Sequence, residues 1–575
     1  MSAPLHKPVS AFRLAVVGGI VLLAGAVLVW RAVDLHVFNR DFLRNQGEAR
    51  YLRVVPVAAH RGMITDRHGE PLAISTPVDS VWVQPKAFAG AHARWPELAK
   101  LLGLDLDRLQ RTVLARQERE FVYLKRHVSP QKAEKVMALG IPGVNLQREY
   151  RRYYPAGEVT AHVVGFTNVD DRGQEGLELA YDKWLRGTPG AKRVLKDRLG
   201  RVVRNVELIR KPEAGRDLAL SLDRRLQYLS YRELKRAVFH HKARSGSLVI
   251  LDVHTGEVLA MVNQPAYNPN DRGQYRPGQT RNRAVTDVFE PGSTIKPFTI
   301  AAALQSGRFR PGTLIDTAPG RYRLGRALIR DARNYGRITV STVIQKSSNV
   351  GASKIALSLP DELLYRTHTR FGFGAATGSG FPGEVGGLLA DAGRWRKIEK
   401  ATLAYGYGMS VTALQLARAY AALADDGRLH PVSFVKLTEL EPARQAIPAR
   451  VARQVKRMLE SVVAEGGTGT RARIAGYRVA GKTGTVKKAT AGGYSEDRYI
   501  AVFAGFAPAS RPRLAMVVTI NEPRDGVYYG GQVAAPVFSK VMAGALRLLG
   551  VAPDAAPATP VRLAALGQPS REATP

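Results

Sequence analysis

The stretch "FEPGSTIKPFTIAAAL", Phe289 to Leu304, places a serine and a lysine three residues apart at the start of an apolar helix. Side chains at positions i and i+3 of a helix share a face, with Cβ atoms about 5–6 Å apart. The residues after Pro297 are apolar on nearly every side, so we expect this helix to be buried. A lysine entering a buried helix is costly unless it is neutral or paired. Ser293 and Lys296 therefore suit a nucleophile and its base, while a helix cap would explain the serine alone.

The same spacing occurs a second time, in "SPQK", Ser129 to Lys132. There Pro130 suits the first position of a helix, Ser129 suits the cap before it, and Lys132 falls on a polar face. The pattern alone is therefore weak, and other motifs must decide whether Ser293 is a cap or a nucleophile.

Two further motifs follow Ser293 along the chain. "SSN", Ser347 to Asn349, lies between helical runs, and "KTGT", Lys482 to Thr485, lies within a strand pattern. Taken singly, a polar loop and an edge strand containing a glycine explain them. The order SxxK, SxN, KTG is that of penicillin-binding proteins and serine β-lactamases. Their joint occurrence in this order and in these settings favours an active site.

Composition narrows the remaining function classes. At 575 residues the chain is long enough for two or three domains, and its net charge of +36 favours anionic partners. The basic residues are spread along the chain without a dense tract, so solvated surface charge is the simpler interpretation and no nucleic-acid partner is expected. The lack of cysteine excludes disulfides and thiol chemistry, and the 12 histidines show no HExxH pairing typical of zinc hydrolases.

The beginning of the sequence predicts a membrane anchor. Residues 14–30, "LAVVGGIVLLAGAVLVW", carry no charge, and with Arg31 snorkelling the span extends to residues 14–33, enough to cross a bilayer. Lys7 and Arg13 precede the span, so the positive-inside tendency predicts a cytoplasmic tail over residues 1–13. We expect the bulk of the chain to lie outside the cytoplasm on a single tether.

The rest of the chain divides into three predicted regions. Residues 34–225 mix short strands and helices without a catalytic constellation. Residues 226–550 contain a hairpin, a helical block, three strands and a closing helix, which predicts an α+β fold with helices packed on an antiparallel sheet. Residues 551–575, rich in Ala and Pro, are expected to be a disordered tail.

The chain resembles the class B penicillin-binding proteins, which are peptidoglycan D,D-transpeptidases, and is most similar to their division-specific branch (penicillin-binding protein 3 type). The resemblance covers almost the full length, and its motifs are "HRGMITDRHGEPLA", "GQEGLELAYDKWL", "FEPGSTIKPF", "KSSNVG", "YGYG" and "AGKTGT". It implies a penicillin-binding/serine β-lactamase-like transpeptidase domain over 226–550, an elongated, dimerisation-type pedestal domain over 34–225, and one transmembrane helix.

The resemblance also implies a role for each catalytic side chain. Ser293 attacks the penultimate D-Ala carbonyl of a stem peptide, releases D-Ala and becomes an acyl-enzyme, with Lys296 as its base. Ser347 relays a proton to the leaving amine, and Asn349 holds the base and the substrate. Lys482 keeps the base neutral by like-charge repulsion and attracts the substrate's terminal carboxylate.

The implied substrate-binding residues lie on and near the KTGT strand: Thr483, Gly484, Thr485, Tyr499, Tyr528 and Tyr529. The glycine would let the substrate backbone lie along the strand edge, and the backbone N–H groups of Ser293 and Thr485 would hold the oxyanion. For the three tyrosines, ordinary aromatic core is an equally good interpretation. No metal and no organic cofactor is expected.

The implied function is the cross-linking of stem peptides during septal cell-wall synthesis, with covalent inhibition by β-lactams. Expected partners are stem peptides, β-lactams, the membrane, and divisome proteins including a polytopic SEDS-type glycan polymerase, because the acidic signature of a glycosyltransferase is absent. The expected location is the bacterial inner membrane at the septum, single-pass, with the N-terminus cytoplasmic and the catalytic domain periplasmic. Two alternatives stay open: a hydrolase of the D,D-carboxypeptidase or β-lactamase type, and a non-enzymatic membrane-tethered β-lactam sensor or scaffold.

Overall fold

The computed structural model describes residues 11–40, 52–196 and 202–555, apart from residues 272, 274, 277, 491 and 492. Most of the predicted cytoplasmic tail (1–13) and most of the predicted disordered tail (551–575) lie outside the described residues.

The helices are numbered in chain order. They are α1 Ala11–Val33, α2 Pro85–Ala89, α3 Trp95–Leu102, α4 Leu106–Leu114, α5 Pro130–Ala138, α6 Ala161–Val164, α7 Gly176–Ala180, α8 Asp182–Leu185, α9 Arg224–His240, α10 Arg283–Thr286, α11 Lys296–Gln305, α12 Val340–Lys346, α13 Asn349–Leu357, α14 Asp361–Arg370, α15 Lys397–Leu403, α16 Ala413–Ala424, α17 Ala449–Val463, α18 Gly530–Val533 and α19 Ala535–Leu548.

The strands are numbered in the same way. They are β1 Leu52–Val57, β2 Ile64–Thr65, β3 Pro71–Val83, β4 Val122–Val128, β5 Val144–Tyr153, β6 Phe166–Thr167, β7 Gly173–Glu175, β8 Gly190–Lys196, β9 Val202–Arg210, β10 Leu218–Ala219, β11 Ser245–Asp252, β12 Val258–Gln264, β13 Leu314–Asp316, β14 Arg321–Leu324, β15 Ala327–Arg330, β16 Arg337–Thr339, β17 Arg428–Leu429, β18 Arg444–Gln445, β19 Ala480–Thr490, β20 Gly493–Ala507 and β21 Leu514–Asn521.

Helix α1 contains the whole of the anchor predicted over residues 14–33. It continues as a π-helical turn, Asp34–Phe38, and the combined 28 residues exceed the length needed to cross a hydrocarbon core of about 30 Å. No residue of α1 is buried against other parts of the protein that the structure describes. An apolar helix with every face exposed suits a lipid environment.

The chain forms two compact units by its internal contacts. The first is made of Met1–His60, Thr76–Arg151 and Gly187–Ala214, and the second of Arg61–Ser75, Arg152–Arg186 and Gly215–Pro575. Three stretches that the sequence assigns to the pedestal thus make their contacts within the second unit: Arg61–Ser75, Arg152–Arg186 and residues 215–225. Because compactness alone does not define a domain, the limits 34–225 and 226–550 stay predictions.

The first unit contains two groups of strands. Strands β1, β8 and β9 form an antiparallel sheet with β8 in the centre. The later part of β3 pairs with β4 and β5, and helices α2 to α5 share an apolar core with these strands. In this core the rings of Phe88 and Trp95 stack with centroids 4.8 Å apart.

The second unit is built on a five-stranded antiparallel sheet in the order β12-β11-β21-β20-β19. Every residue of β11 is buried, which requires cover on both faces of the sheet. Leu248 and Ile250 pack with α9 and α19, whereas Val249 and Leu251 pack with α11 and α16, so alternate side chains enter opposite layers. The predicted antiparallel sheet with helices packed on it is confirmed, and β19 forms one edge of it.

Local sequence signals located several of these elements correctly. The stretch "SVTALQLARAYAALADDG" predicts helix α16 with a capping box of Thr412 and Gln415. Each of these side chains accepts from the other residue's backbone N–H, at 3.1 and 2.8 Å. The helix ends at Ala424, and Gly427 follows with a φ of +87°. The predicted hairpin is β11–β12, and the three predicted strands are β19, β20 and β21.

Candidate active site

Ser293 lies in a single 3-10 turn, Gly292–Ile295, that leads directly into α11. Gly292 has a φ of +53°, and a Cβ there would come within 2.5 Å of the Val486 side chain on β19. A Cβ on Gly406 would come within 2.2 Å of the Gly292 carbonyl oxygen. Both positions therefore require glycine. This close packing sets the serine beside the edge strand.

Lys296 is the first residue of α11, and its side chain is fully buried. Its Nζ lies 3.0 Å from the Ser293 hydroxyl, 2.6 Å from the Ser347 carbonyl oxygen and 2.7 Å from Asn349 Oδ1. The SxxK and SxN motifs therefore meet at this nitrogen atom.

The surroundings of Lys296 favour its neutral form. Burial lowers the pKa of Lys296 well below its ordinary value, and the nearby Lys482 lowers it further, while Asp331 acts in the opposite sense. A neutral amine has two N–H groups and one lone pair. The carbonyl oxygens of Ser347 and Asn349 can only accept, so they take the two N–H groups. The lone pair is then left for the proton of the Ser293 hydroxyl, which is the arrangement that a general base needs.

The SSN motif forms the joint between α12 and α13. Ser347 closes α12 with a left-handed φ of +61°, and Ser348 caps α13 by accepting from the Gly351 N–H at 2.8 Å. A left-handed conformation costs a non-glycine residue about 1–3 kcal/mol. Here it turns the carbonyl group of Ser347 toward Lys296.

Asp331 holds this joint in place, and sequence analysis missed it. Its Oδ1 accepts from the N–H groups of Asn349 at 2.5 Å and Val350 at 3.0 Å, and its Oδ2 accepts from the Ser348 hydroxyl at 2.6 Å. A carboxylate is also favoured at a helix N-terminus by the helix dipole. Asp331 follows β15 in an ordinary polar turn, so no local signal marks it.

Strand β19 brings the third motif to the same place. Lys482 is fully buried, and its Nζ lies 2.9 Å from the Ser347 hydroxyl and 3.2 Å from the Thr483 carbonyl oxygen. Burial lowers the pKa of Lys482 to about 7. Since Ser347 Oγ is also 3.1 Å from Lys296 Nζ, this hydroxyl lies between two amines and can pass a proton.

Gly484 lies between Thr483 and Thr485 on β19. A Cβ there would come within 3.0 Å of the Thr294 methyl group and 3.2 Å of the Pro291 carbonyl oxygen. The missing side chain therefore lets β19 pack against the serine-bearing turn. This need for glycine was not predicted from the sequence. The Thr485 hydroxyl accepts from the Gly530 N–H at 2.9 Å.

The three predicted tyrosines form one cluster. The rings of Tyr499 and Tyr528 stack with centroids 4.1 Å apart, and those of Tyr528 and Tyr529 lie 4.5 Å apart. Tyr529 precedes Gly530, whose N–H binds Thr485, so the cluster adjoins β19. Tyr529 is 54% exposed, which does not fit ordinary core. Contact with a substrate stays a prediction for all three.

A second aromatic group adjoins the serine-bearing turn. Glu290 Oε1 accepts from the Gly408 N–H at 2.8 Å and from the Tyr494 hydroxyl at 3.0 Å, and burial raises the pKa of this carboxyl. The Tyr407 ring lies 5.2 Å from that of Tyr494 and 5.7 Å from that of Tyr405. In the sequence, "YGYG" is marked only by the family resemblance. The hydrogen bond from its last glycine, Gly408, to Glu290 is not predictable from the sequence.

Among the described residues, one group has the geometry to hold a metal ion. His240, His241 and Asp525 offer ligand atoms within 4.8 Å of one another, near the end of α9. His241 Nδ1 already lies 2.5 Å from Asp525 Oδ2. This group shares no residue with the three motifs.

Comparison with known proteins agrees with this geometry. Residues 246–543 match the model of the penicillin-binding protein transpeptidase domain, and residues 56–220 match that of the penicillin-binding protein dimerisation domain. The chain is 48% identical over 555 residues to the peptidoglycan D,D-transpeptidase FtsI of Escherichia coli (strain K12), covering 96% of this chain and 94% of the relative.

Two solved structures resemble the chain. The apo transpeptidase domain of Burkholderia pseudomallei penicillin-binding protein 3 is 44% identical with a TM-score of 0.55, covering 59% of this chain and 98% of that one. A peptidoglycan synthetase from Bifidobacterium adolescentis is 25% identical with a TM-score of 0.70, covering 88% of this chain and 98% of that one. With three motifs meeting around one buried lysine and two family models matched along its length, this chain belongs to the penicillin-binding protein transpeptidase family.

Proposed function

We propose that this chain is a septal peptidoglycan D,D-transpeptidase with Ser293 as nucleophile and Lys296 as general base. The relative from Escherichia coli is a peptidoglycan D,D-transpeptidase by name, and this family takes peptidoglycan and β-lactams at one site. In the first half-reaction the serine attacks the penultimate D-Ala carbonyl of a stem peptide. In the second, an amine of another stem peptide attacks the acyl-enzyme and forms the cross-link.

Acylation needs two proton transfers. The Ser293 hydroxyl gives its proton to the lone pair of Lys296 Nζ as the new C–O bond forms. The leaving amine of D-Ala must gain a proton as the peptide bond breaks. The Ser347 hydroxyl donates that proton and is replenished by Lys296, 3.1 Å away. Asn349 holds the base through its side-chain oxygen.

Substrate recognition uses strand β19. Its edge accepts an extended peptide as an added strand, with Gly484 allowing close approach of the peptide backbone. Lys482, Thr483 and Thr485 attract the terminal carboxylate, because a cation and two hydroxyl donors converge there. The backbone N–H groups of Ser293 and Thr485 stabilise the oxyanion. Tyr499, Tyr528 and Tyr529 wall the pocket near the acyl group.

One observation carries this assignment. Lys296 is fully buried, and its two N–H groups are positioned to donate to the carbonyl oxygens of Ser347 and the Asn349 side chain. A helix cap would need no amine in that position. A scaffold that forms no acyl-enzyme would need no base aimed at the serine.

We further propose the position of the chain in the cell. Helix α1 anchors it in the inner membrane at the division septum, with the N-terminus cytoplasmic and the catalytic domain periplasmic. The transpeptidase domain covers residues 226–550 and the pedestal 34–225. Polymerisation of glycan falls to a divisome partner, a polytopic SEDS-type polymerase, since the first half lacks the acidic signature of a glycosyltransferase.

The decisive experiment separates transfer from hydrolysis. The full-length protein is incubated with a donor pentapeptide strand and an amine-bearing acceptor strand, and products are identified by mass spectrometry. We expect a cross-linked dimer and one equivalent of free D-Ala, both lost in Ser293→Ala. Release of D-Ala with only the shortened donor as product would make the protein a D,D-carboxypeptidase instead.

A further inference from the structure

The loop that directly follows α17, residues 464–469, is used neither by the three motifs nor by the proposed mechanism. Thr468 in this loop is exposed, and its hydroxyl oxygen lies 2.8 Å from that of Thr483. We propose that Thr468 is a positioning residue for the substrate carboxylate, acting by orienting the Thr483 hydroxyl as a donor. This inference rests on the proposed function, which assigns the carboxylate to β19.

The Thr468 and Thr483 hydroxyl groups have two protons between them. A hydroxyl group has one proton to donate and two lone pairs to accept with. In the Thr468–Thr483 pair one proton joins the two oxygens, and the other is free. When a carboxylate arrives, the favourable state is Thr468 donating to Thr483 and Thr483 donating to the anion. In such a chain each hydrogen bond strengthens the next.

The neighbouring threonine shows the same design with a different partner. Thr485 Oγ1 accepts from the backbone N–H of Gly530 at 2.9 Å. An N–H group can only donate, so the Thr485 hydroxyl must direct its own proton elsewhere. The hydroxyl groups of Thr483 and Thr485 are thus each held by a neighbouring segment, the first by Thr468 and the second by Gly530 at the start of α18. Thr468 does for Thr483 what the Gly530 N–H does for Thr485.

The loop itself is held in position at two points. The Lys346 ammonium donates to the Gly466 carbonyl oxygen at 2.7 Å, and Gly466 adopts a φ of +74°. The Gly469 N–H donates to the Val462 carbonyl oxygen at 2.9 Å. Because Lys346 directly precedes the SSN motif, the loop ties that motif to the KTGT strand.

Packing against Gly531 holds the backbone of Thr468 close to β19. Its carbonyl oxygen lies so near Gly531 that a Cβ on that glycine would come within 2.4 Å of it. The same Cβ would lie 3.5 Å from the Thr483 methyl group. The absence of a side chain at Gly531 therefore allows the loop and the strand to lie close to this glycine. With the backbone held there, the Thr468 and Thr483 hydroxyl groups lie within hydrogen-bond distance, and either of them can be the donor.

The test compares a ligand that has the carboxylate with one that lacks its charge. Second-order acylation rate constants are measured on the full-length protein with benzylpenicillin and with its methyl ester. In Thr468→Val, an isosteric change, we expect the acid-to-ester ratio to fall about five- to tenfold, the effect of losing one hydrogen bond in a charge-assisted chain. Thr468→Ser restores the hydroxyl and should restore the ratio. An unchanged ratio in Thr468→Val overturns the inference.

A double-mutant cycle with Thr483→Val shows whether Thr468 acts through Thr483. We expect Thr483→Val to lower the ratio and the double variant to lower it no further. A further, multiplicative fall would overturn the positioning role. If Thr483→Val lowers the ratio and Thr468→Val does not, only this inference fails. If neither variant lowers it, the proposed carboxylate site on β19 fails as well.

Discussion

The SxxK pattern occurs twice in the chain, at Ser129–Lys132 and at Ser293–Lys296, and the two copies lie in different environments. Ser129 caps α5: its hydroxyl accepts from the backbone N–H of Lys132 at 3.3 Å, and it is exposed. Ser293 makes its contact with the side chain of Lys296, which is fully buried. In the first copy the serine serves the backbone. In the second it faces an amine.

The difference teaches that chemistry comes from what surrounds the pattern. Around Lys296 two carbonyl oxygens converge from a distant helix joint, and Lys482 approaches from a strand further along the chain. Burial and this second amine together lower the pKa of Lys296 and so favour its unprotonated form. An amine of that kind takes a proton from a hydroxyl, whereas a hydrated ammonium cannot.

We expect the largest effect from removing the serine hydroxyl of the second copy, the proposed nucleophile. Ser293→Ala should lower acylation by benzylpenicillin by about 10⁴-fold or more, because no oxygen remains to form the ester. Intact mass spectrometry measures it as the loss of one added drug mass. Ser129→Ala is the matched control and should acylate at the wild-type rate. Labelling of the Ser293→Ala protein would identify another nucleophile.

We expect the next largest effect from removing the Lys296 amine, the proposed general base. Lys296→Met should lower the acylation rate constant by about 10²–10⁴-fold, since no group remains to take the proton. It should also lower the free energy of unfolding by about 1–3 kcal/mol, because the carbonyl oxygens of Ser347 and Asn349 lose their hydrogen-bond donor. Stopped-flow acylation and chemical denaturation measure the two effects. Lys132→Met is the control, and an equal loss of rate there would contradict the comparison.

A smaller effect concerns the charges on either side of the base. Acylation requires neutral Lys296, so its rate falls as pH drops through the pKa of that amine. Lys482→Met removes a positive neighbour, which raises this pKa and moves the acid limb of the pH–rate profile to higher pH. Asp331→Asn removes a negative neighbour and should move the limb to lower pH, with a plateau about tenfold lower from the weakened SSN joint. Shifts in the same direction would refute the assignment.

The smallest effect belongs to the first copy. Ser129→Ala should destabilise α5 by about 1 kcal/mol, because the Lys132 N–H loses its cap. Amide hydrogen exchange in the first turn of α5 measures this loss. Ser129→Asn keeps an acceptor and should keep the protection, so equal exchange in both variants would argue against a capping role.

Local signals in the sequence were sufficient for much of the fold. The capping box at Thr412 and the turn of the β11–β12 hairpin depend on residues a few positions apart, and both elements are present as predicted. The burial of Lys296 followed from the apolar residues after it. These features are predictable because their causes lie within one turn or one strand.

The residues that complete the site were not predictable in this way. Asp331 and Thr468 look like ordinary loop residues, and only the fold brings them to the SSN joint and to β19. Gly484 was assigned to the substrate alone, yet its missing side chain also makes room for the turn that carries the serine. Such roles depend on contacts between residues far apart in sequence.

The open edge of β19 has a consequence beyond the peptide binding proposed for it. Within the part of the chain that the structure describes, no strand pairs with that edge. A strand that receives one extended chain will receive others, so the same edge is a template for edge-to-edge aggregation. Lys487 and Lys488 lie just beyond the KTGT motif, and charged side chains of this kind repel a second copy of the strand. Concentrated salt screens that repulsion, so self-association of the purified domain should begin at this edge.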